Sequence, residues 1–209
     1  MIVIVDYGMG NLQSVAKALA RLNIDAVVSS NKKDIQKADK LILPGVGFYA
    51  YGINNLKKLG LLQLLNKKVL KDKTPILGIC LGMQLFTEWG EEGDAKGLGW
   101  IKGKTIRFAF TKEKSDTAQR IKIPHMGWNS LEVKKDNPLL AKIPQDAAFY
   151  FVHSYYVVCE DKKDVLATTD YGLPFTSMVQ KENIYGVQFH PEKSHKNGLS
   201  ILKNFIENT

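Results

Sequence analysis

Three residues in this chain of 209 have the types and surroundings needed for covalent chemistry: Cys80, His190 and Glu192. Cys80 stands in Ile76-Leu77-Gly78-Ile79-Cys80-Leu81-Gly82-Met83-Gln84, a Gly-x-Cys-x-Gly pattern between an apolar strand and a helix. This is the sulfur version of a nucleophile elbow, a sharp strand-to-helix turn. A cysteine at a helix N-terminus meets free N–H groups and the positive end of the helix dipole, and both favour the reactive thiolate. The pattern alone also fits an inert buried cysteine in a glycine-containing turn.

Near the C-terminus the chain reads Gly186-Val187-Gln188-Phe189-His190-Pro191-Glu192. A thiol needs a neighbouring base, and that base needs a group to orient it. His190 supplies a base, Glu192 an orienting carboxylate, and Pro191 restricts the backbone between them. The bland alternative is an exposed histidine capped by a surface glutamate. A third segment, Leu43-Pro44-Gly45-Val46-Gly47, also follows a strand. Acyl transfer requires donors aimed at a tetrahedral oxyanion. The backbone N–H of Leu81 and one from Gly45–Gly47 are the candidates, although an ordinary turn would read the same. His153, in Tyr150-Phe151-Val152-His153-Ser154-Tyr155-Tyr156, is either a rival base or a structural histidine. The structural reading is preferred because His190 already has its carboxylate.

These segments must be positioned by a scaffold. Strands are expected at Ile2–Val5, Ala26–Ser29, Lys40–Leu43 and Pro75–Ile79. Helices are expected at Leu12–Leu22, Gly52–Leu65 and Leu81–Trp89 from apolar spacing. Alternation of this kind argues for an α/β fold with a mostly parallel central sheet flanked by helices. The second half is richer in strand signals, at Thr105–Phe108, Ser130–Val133, Ala148–Val152, Val165–Thr169, Thr176–Gln180 and Ile184–Phe189. They predict added antiparallel strands, with a closing helix at Asn197–Glu207 and an exposed charged loop at Thr111–Arg120. One domain, residues 1–209, is the economical reading. Ligands of parallel sheets collect at the carboxyl ends of the strands, so Cys80 and His190 are expected to meet there.

Composition narrows the class. Hydrophobic content of 44% and charged content of 24% suit a globular protein. Net charge is +8, but the lysines are scattered in pairs without an aromatic-interleaved stripe. A solvated surface is therefore preferred over a nucleic-acid site. The start, Met-Ile-Val-Ile-Val-Asp, does not read as a signal peptide, and no run approaches a membrane span. A cytoplasmic chain is expected. Its two cysteines lack metal-ligand spacing, so neither a disulfide, a metal nor a cofactor is expected.

Taken together, Pro44–Gly47, Gly78–Gln84 and His190-Pro191-Glu192 resemble the class I (triad) glutamine amidotransferases. Three further stretches narrow the resemblance: Val5–Leu12, Pro124-His125-Met126-Gly127-Trp128-Asn129 and Val187–Ser194. They look like the HisH family, the glutaminase subunits of imidazole glycerol phosphate synthase. The resemblance implies hydrolysis of L-glutamine to glutamate and ammonia through a cysteine thioester. It implies that ammonia is channelled to a cyclase subunit of HisF type in a heterodimer serving histidine biosynthesis. Cys80 becomes the nucleophile, His190 the base and acid, and Glu192 its orienter. Gly45, Val46, Gly47, Leu81, Gln84, His153, Ser154 and Tyr155 fall on substrate-binding positions. Asn11, Trp128 and Lys193 fall on the partner face. Two features depart from the pattern: the length of Thr111–Arg120 and the aromatic Phe48-Tyr49-Ala50-Tyr51. They leave room for a paralogue that feeds ammonia to a different synthase, such as a sugar-modifying enzyme.

Overall fold

The computed structural model describes residues 1–110 and 121–209, so the segment Thr111–Arg120 lies outside the described residues. The chain opens with β1 (Ile2–Val5), α1 (Leu12–Ala20), β2 (Ala26–Ser29), α2 (Lys32–Lys37) and β3 (Lys40–Gly45). It continues through α3 (Tyr49–Lys58), α4 (Leu62–Asn66), β4 (Ile76–Cys80), α5 (Leu81–Gln84), β5 (Thr87–Gly90), β6 (Ala95–Lys96) and β7 (Ile101–Arg107). Then come β8 (His125–Ser130), β9 (Glu132–Val133), β10 (Ala148–His153), β11 (Tyr155–Cys159), β12 (Val165–Asp170), β13 (Pro174–Lys181), β14 (Ile184–Val187) and α6 (His195–Asn208).

Five strands run parallel in the order β2-β1-β3-β4-β14. From β14 the same sheet continues antiparallel through β13, β11 and β7. A separate hairpin-like pair, β8 and β10, lies beside it. The edge strand β2 is partly exposed, whereas β1, β3, β4 and β14 are largely apolar because both of their faces are covered. Their side chains alternate between two cores with period two. Val3, Val5, Leu41 and Leu43 enter one core with Ile53 and Leu56 of α3. Ile4, Ile42 and Leu77 enter the other with Val15 and Leu19 of α1 and Leu202 and Phe205 of α6. The expected fold class is therefore the observed one. Among the described residues, no helix is long and apolar enough to cross a membrane.

Several boundaries differ from the sequence reading, for physical reasons. The helix expected over Gly52–Leu65 is two helices, α3 and α4, because Gly60 takes φ +64° between them. The helix expected over Leu81–Trp89 stops at Gln84. Residues after it leave to form β5, which pairs with β7 at Thr87↔Ile101 and Trp89↔Lys104. That pairing is a tertiary contact, invisible to local periodicity. The strand expected at Ser130–Val133 is divided between β8 and β9, which join different sheets. β11 and α2 were not expected. Strand β3 reaches Gly45, two residues beyond its expected end, because Pro44 and Gly45 pair with Ile79 and Cys80.

Close approach of α5 to β3 depends on Gly82. A Cβ at this position would lie 1.7 Å from the Leu43 carbonyl oxygen, and both groups are backbone. Neither can move without breaking the β3–β4 register. Gly82→Ala should therefore cost about 3 kcal/mol or more of stability. Urea denaturation checks this, and a loss below about 1 kcal/mol would show that the β3–α5 contact yields easily.

Candidate active site

Parallel strands β3, β4 and β14 end at one edge of the sheet. Gly45 is in register with Cys80, and Val187 with Ile79. Cys80 leaves β4 and His190 leaves β14 on the same side, and both line one cleft of about 330 Å³. Val46, Gly47, Leu81, Gln84, His153, Ser154 and Tyr155 line it too. Gly45 is the one expected substrate-binding residue outside that lining. It is buried behind the loop. A larger groove of about 680 Å³, lined by Leu131, Pro138, Ile143 and Phe149, holds none of the chemical residues.

Cys80 sits at φ +53° and ψ −110°, in the left-handed half of the backbone map. A non-glycine residue held there costs roughly 1–3 kcal/mol, and surrounding structure must enforce it. Here the enforcement comes from β4 before the turn and α5 after it. The turn projects the sulfur into the cleft, where the residue is 6% exposed. With α5 only four residues long, the dipole at Cys80 is that of a single turn.

His190 and Glu192 form a buried pair. Nδ1–H of His190 donates to Glu192 Oε1 at 2.8 Å, and their side chains are 2% and 3% exposed. Burial alone would lower the pKa of His190. Negative charge on Cys80, hydrogen bonding to its sulfur, and the Glu192 carboxylate outweigh burial and push it up to about 10. His190 Nε2 is buried and, among the described residues, makes no hydrogen bond of regular geometry. Cys80 thus acts on the ring without locking it, which leaves Nε2 available to a substrate. Ser194 fixes the backbone of this histidine: its hydroxyl donates to the His190 carbonyl at 2.7 Å and accepts from the Tyr150 amide at 2.9 Å.

His153 is 6% exposed and both its ring nitrogens are occupied. Its Nδ1–H donates to the Tyr155 carbonyl at 2.8 Å. Nε2 must then accept, and His125 Nδ1–H donates to it at 3.1 Å. Burial pushes both rings well down, to about 3 for His153 and about 4 for His125. His153 therefore has no free lone pair for a thiol, and its contribution to the cleft is shape and backbone.

Sequence reasoning missed two polar side chains of the site, Gln188 and Glu92. Gln188 is fully buried and donates to the Cys80 sulfur at 3.6 Å. It accepts from Gln84 Nε2 at 3.1 Å, and Gln84 also donates to the Tyr155 carbonyl at 2.9 Å. A polar chain thus links Cys80 to the far wall. Gln188 lay within the quoted motif, and its polarity in an apolar strand end was the available signal. Glu92 also lines the cleft and accepts from the Tyr49 amide at 2.8 Å. Burial raises its pKa, and that hydrogen bond partly offsets the rise. Only the β5–β6 pairing carries Glu92 to the site, so no local pattern announced it.

The expected partner-face residues lie outside the cleft. Trp128 on β8 is 48% exposed and stacks on His195 at 4.9 Å. It meets Tyr150 edge-on at 5.9 Å, and Lys193 Nζ stands 5.8 Å from the Tyr150 ring centre. Asn11 is exposed and caps α1, accepting from the Ser14 amide at 3.3 Å. Among the described residues, no group of His, Cys, Asp and Glu side chains is arranged to hold a metal ion.

Comparison with known proteins agrees with this geometry. The family model described as glutamine amidotransferase class-I matches residues 3–209. Imidazole glycerol phosphate synthase subunit HisH 2 of Methanococcus maripaludis is 53% identical over 207 residues, covering 99% of each chain. Subunit HisH 2 of Pseudomonas aeruginosa is 45% identical over 99% of each chain, and HisH 1 of Campylobacter jejuni is 49% identical over the same share. Among solved structures, a glutamine amidotransferase superposes with a TM-score of 0.72 at 19% identity, over 99% of this chain and 98% of that one. PurLQS from Thermotoga maritima follows at 0.69 and 18%, over 98% and 96%. These two likenesses concern the fold. The chain belongs to the class-I glutamine amidotransferases and, by its full-length relatives, to the HisH family among them.

Proposed function

We propose that this chain is a glutaminase subunit that hydrolyses L-glutamine and passes ammonia to a HisF-type cyclase in a heterodimer. The observation that carries the reading is the shared cleft of Cys80 and His190, with Glu192 hydrogen-bonded behind the histidine at 2.8 Å. The cyclase step, in histidine biosynthesis, rests on the relatives, which are subunits of imidazole glycerol phosphate synthase by name. The same proposal covers residues 1–209 as one catalytic unit acting in the cytoplasm, where thiols stay reduced.

In this mechanism the Cys80 thiolate attacks the side-chain amide carbon of glutamine. The tetrahedral oxyanion accepts hydrogen bonds from the Leu81 N–H and an amide of Gly45–Gly47. Imidazolium at His190 gives its proton to the leaving nitrogen, and ammonia departs as the thioester forms. Neutral His190 then takes a proton from water, which attacks the thioester and releases glutamate. Glu92 is the carboxylate in the cleft that suits the α-ammonium of the substrate. Ammonia released into neutral water would mostly become ammonium, which has no lone pair to attack with. A dry passage to the partner, walled in part by the Trp128–Tyr150–Lys193 side, keeps it neutral.

A second reading keeps the glutaminase and changes the partner. Relatives numbered HisH 1 and HisH 2 favour it, since numbered copies leave room for another acceptor of ammonia. Here a different synthase, such as a sugar-modifying enzyme, would receive the ammonia.

The deciding assay measures glutaminase activity of the chain alone and with the cyclase and its nucleotide. Activity should be weak alone and rise in the complex. Cys80→Ala should lose at least about 10³-fold, while ammonium salt still supports cyclisation by the partner. Full activity alone, or no rise with the cyclase, contradicts the histidine-pathway assignment. The pH profile tests the pair. His190 is charged below about 10, so kcat/KM should hold through neutral pH and fall as pH climbs toward that value. Glu192→Gln removes one support of the imidazolium and should move this alkaline limb to lower pH, with a smaller loss than His190→Ala. An unmoved limb would mean that Glu192 does not hold the charge.

A further inference from the structure

Tyr7 is a buried tyrosine with no evident reason to be one. It follows β1, is fully buried, and among the described residues its hydroxyl has no hydrogen-bond partner. Leaving such a group unpaired costs roughly 1–3 kcal/mol, and phenylalanine would fill nearly the same space without that cost. The oxygen is set against the loop beside the nucleophile. A Cβ built on Gly45 would lie 2.2 Å from it, 3.0 Å from Leu81 Cβ and 3.2 Å from the Gly82 amide nitrogen. From another direction, a Cβ on Gly10 would lie 3.2 Å from the Gly45 Cα. Gly45 is therefore held between the Tyr7 hydroxyl, the first turn of α5 and the backbone of Gly10. Burial raises the hydroxyl's pKa, and the charge of Cys80 raises it further, as expected for a group lying under the nucleophile.

We propose that Tyr7 is a positioning residue, whose hydroxyl props the Gly45–Gly47 loop at the separation from Cys80 that its amide needs to reach the oxyanion. The proposal rests on the glutaminase reading above. It explains why glycine stands at 45: the hydroxyl occupies the place of a side chain there. It also explains why the unpaired oxygen is kept, because a loop resting on a phenylalanine would sink by the width of an atom. Misplacement of that size at a reacting centre costs up to about 10²-fold in rate.

The test is a cycle of Tyr7→Phe, Gly45→Ala and the double variant, assayed in the complex with the cyclase, with thermal midpoints measured alongside. Tyr7→Phe should lower kcat about tenfold, leave KM within about twofold, and leave the midpoint unchanged or raised. Gly45→Ala should lose more, because its methyl group meets the hydroxyl. The double variant should recover part of that loss, since the methyl group then fills the vacated space. Tyr7→Phe with wild-type kcat overturns the proposal. So does a kcat loss that tracks a falling midpoint and is not eased in the double variant, which would mean packing alone. Absence of glutaminase activity in the wild-type complex would instead defeat the parent reading.

Discussion

Parallel pairing of β14 with β4 sets Val187 opposite Ile79, so both strands end at the same level. Every other feature of the site depends on that register. Cys80 leaves one strand end and His190 the next, although 110 residues separate them in sequence. β3 adds Gly45 opposite Cys80 on the other side. Cys80, His190 and the Gly45–Gly47 amides thus come from three neighbouring strands of one sheet. A shift of one residue in either pairing would send each side chain to the opposite face and separate all three. Two apolar cores resist such a shift, because β1, β3, β4 and β14 each contribute to both.

The site is costly, and the surroundings offset the cost. Cys80 holds a backbone conformation that L-residues avoid, and Gly82 lets α5 press against β3 to enforce it. The His190–Glu192 pair is taken out of water almost completely. Breaking such a pair by removing one partner typically costs 3–5 kcal/mol, so the carboxylate serves both stability and orientation. Ser194 and Gln188 complete this arrangement, one at the histidine backbone and the other at the sulfur. The Ser194 hydroxyl also joins His190 to Tyr150, whose ring lies between Trp128 and Lys193. His190 therefore hydrogen-bonds to Tyr150 of β10, whose ring belongs to the exposed aromatic face, and a change at one has a short path to the other.

Much of this was legible in the chain. The apolar runs of β1, β3 and β4, alternating with helices, announced a parallel sheet. Glycines around Cys80, and Pro191 between His190 and Glu192, marked turns whose chemistry is local. What stayed hidden depends on contacts distant in sequence. The helical spacing after Cys80 continues past Gln84, but β7 recruits Thr87–Gly90 as a strand. Glu92 reaches the cleft only through that recruitment. The sequence already favoured a structural role for His153, but not its partner: His125, 28 residues away, engages its second nitrogen. Tyr7 reads as one more apolar residue after a strand, and only the space at Gly45 gives its oxygen a role.

The central claim is that Cys80, in the cleft it shares with His190, is the group that glutamine acylates. Mass spectrometry of the complex after exposure to an electrophilic glutamine analogue tests it most directly. The account predicts one adduct, on Cys80, slowed by added glutamine and lost in Cys80→Ser. An adduct on Cys159, or none on Cys80 in the active complex, would contradict it.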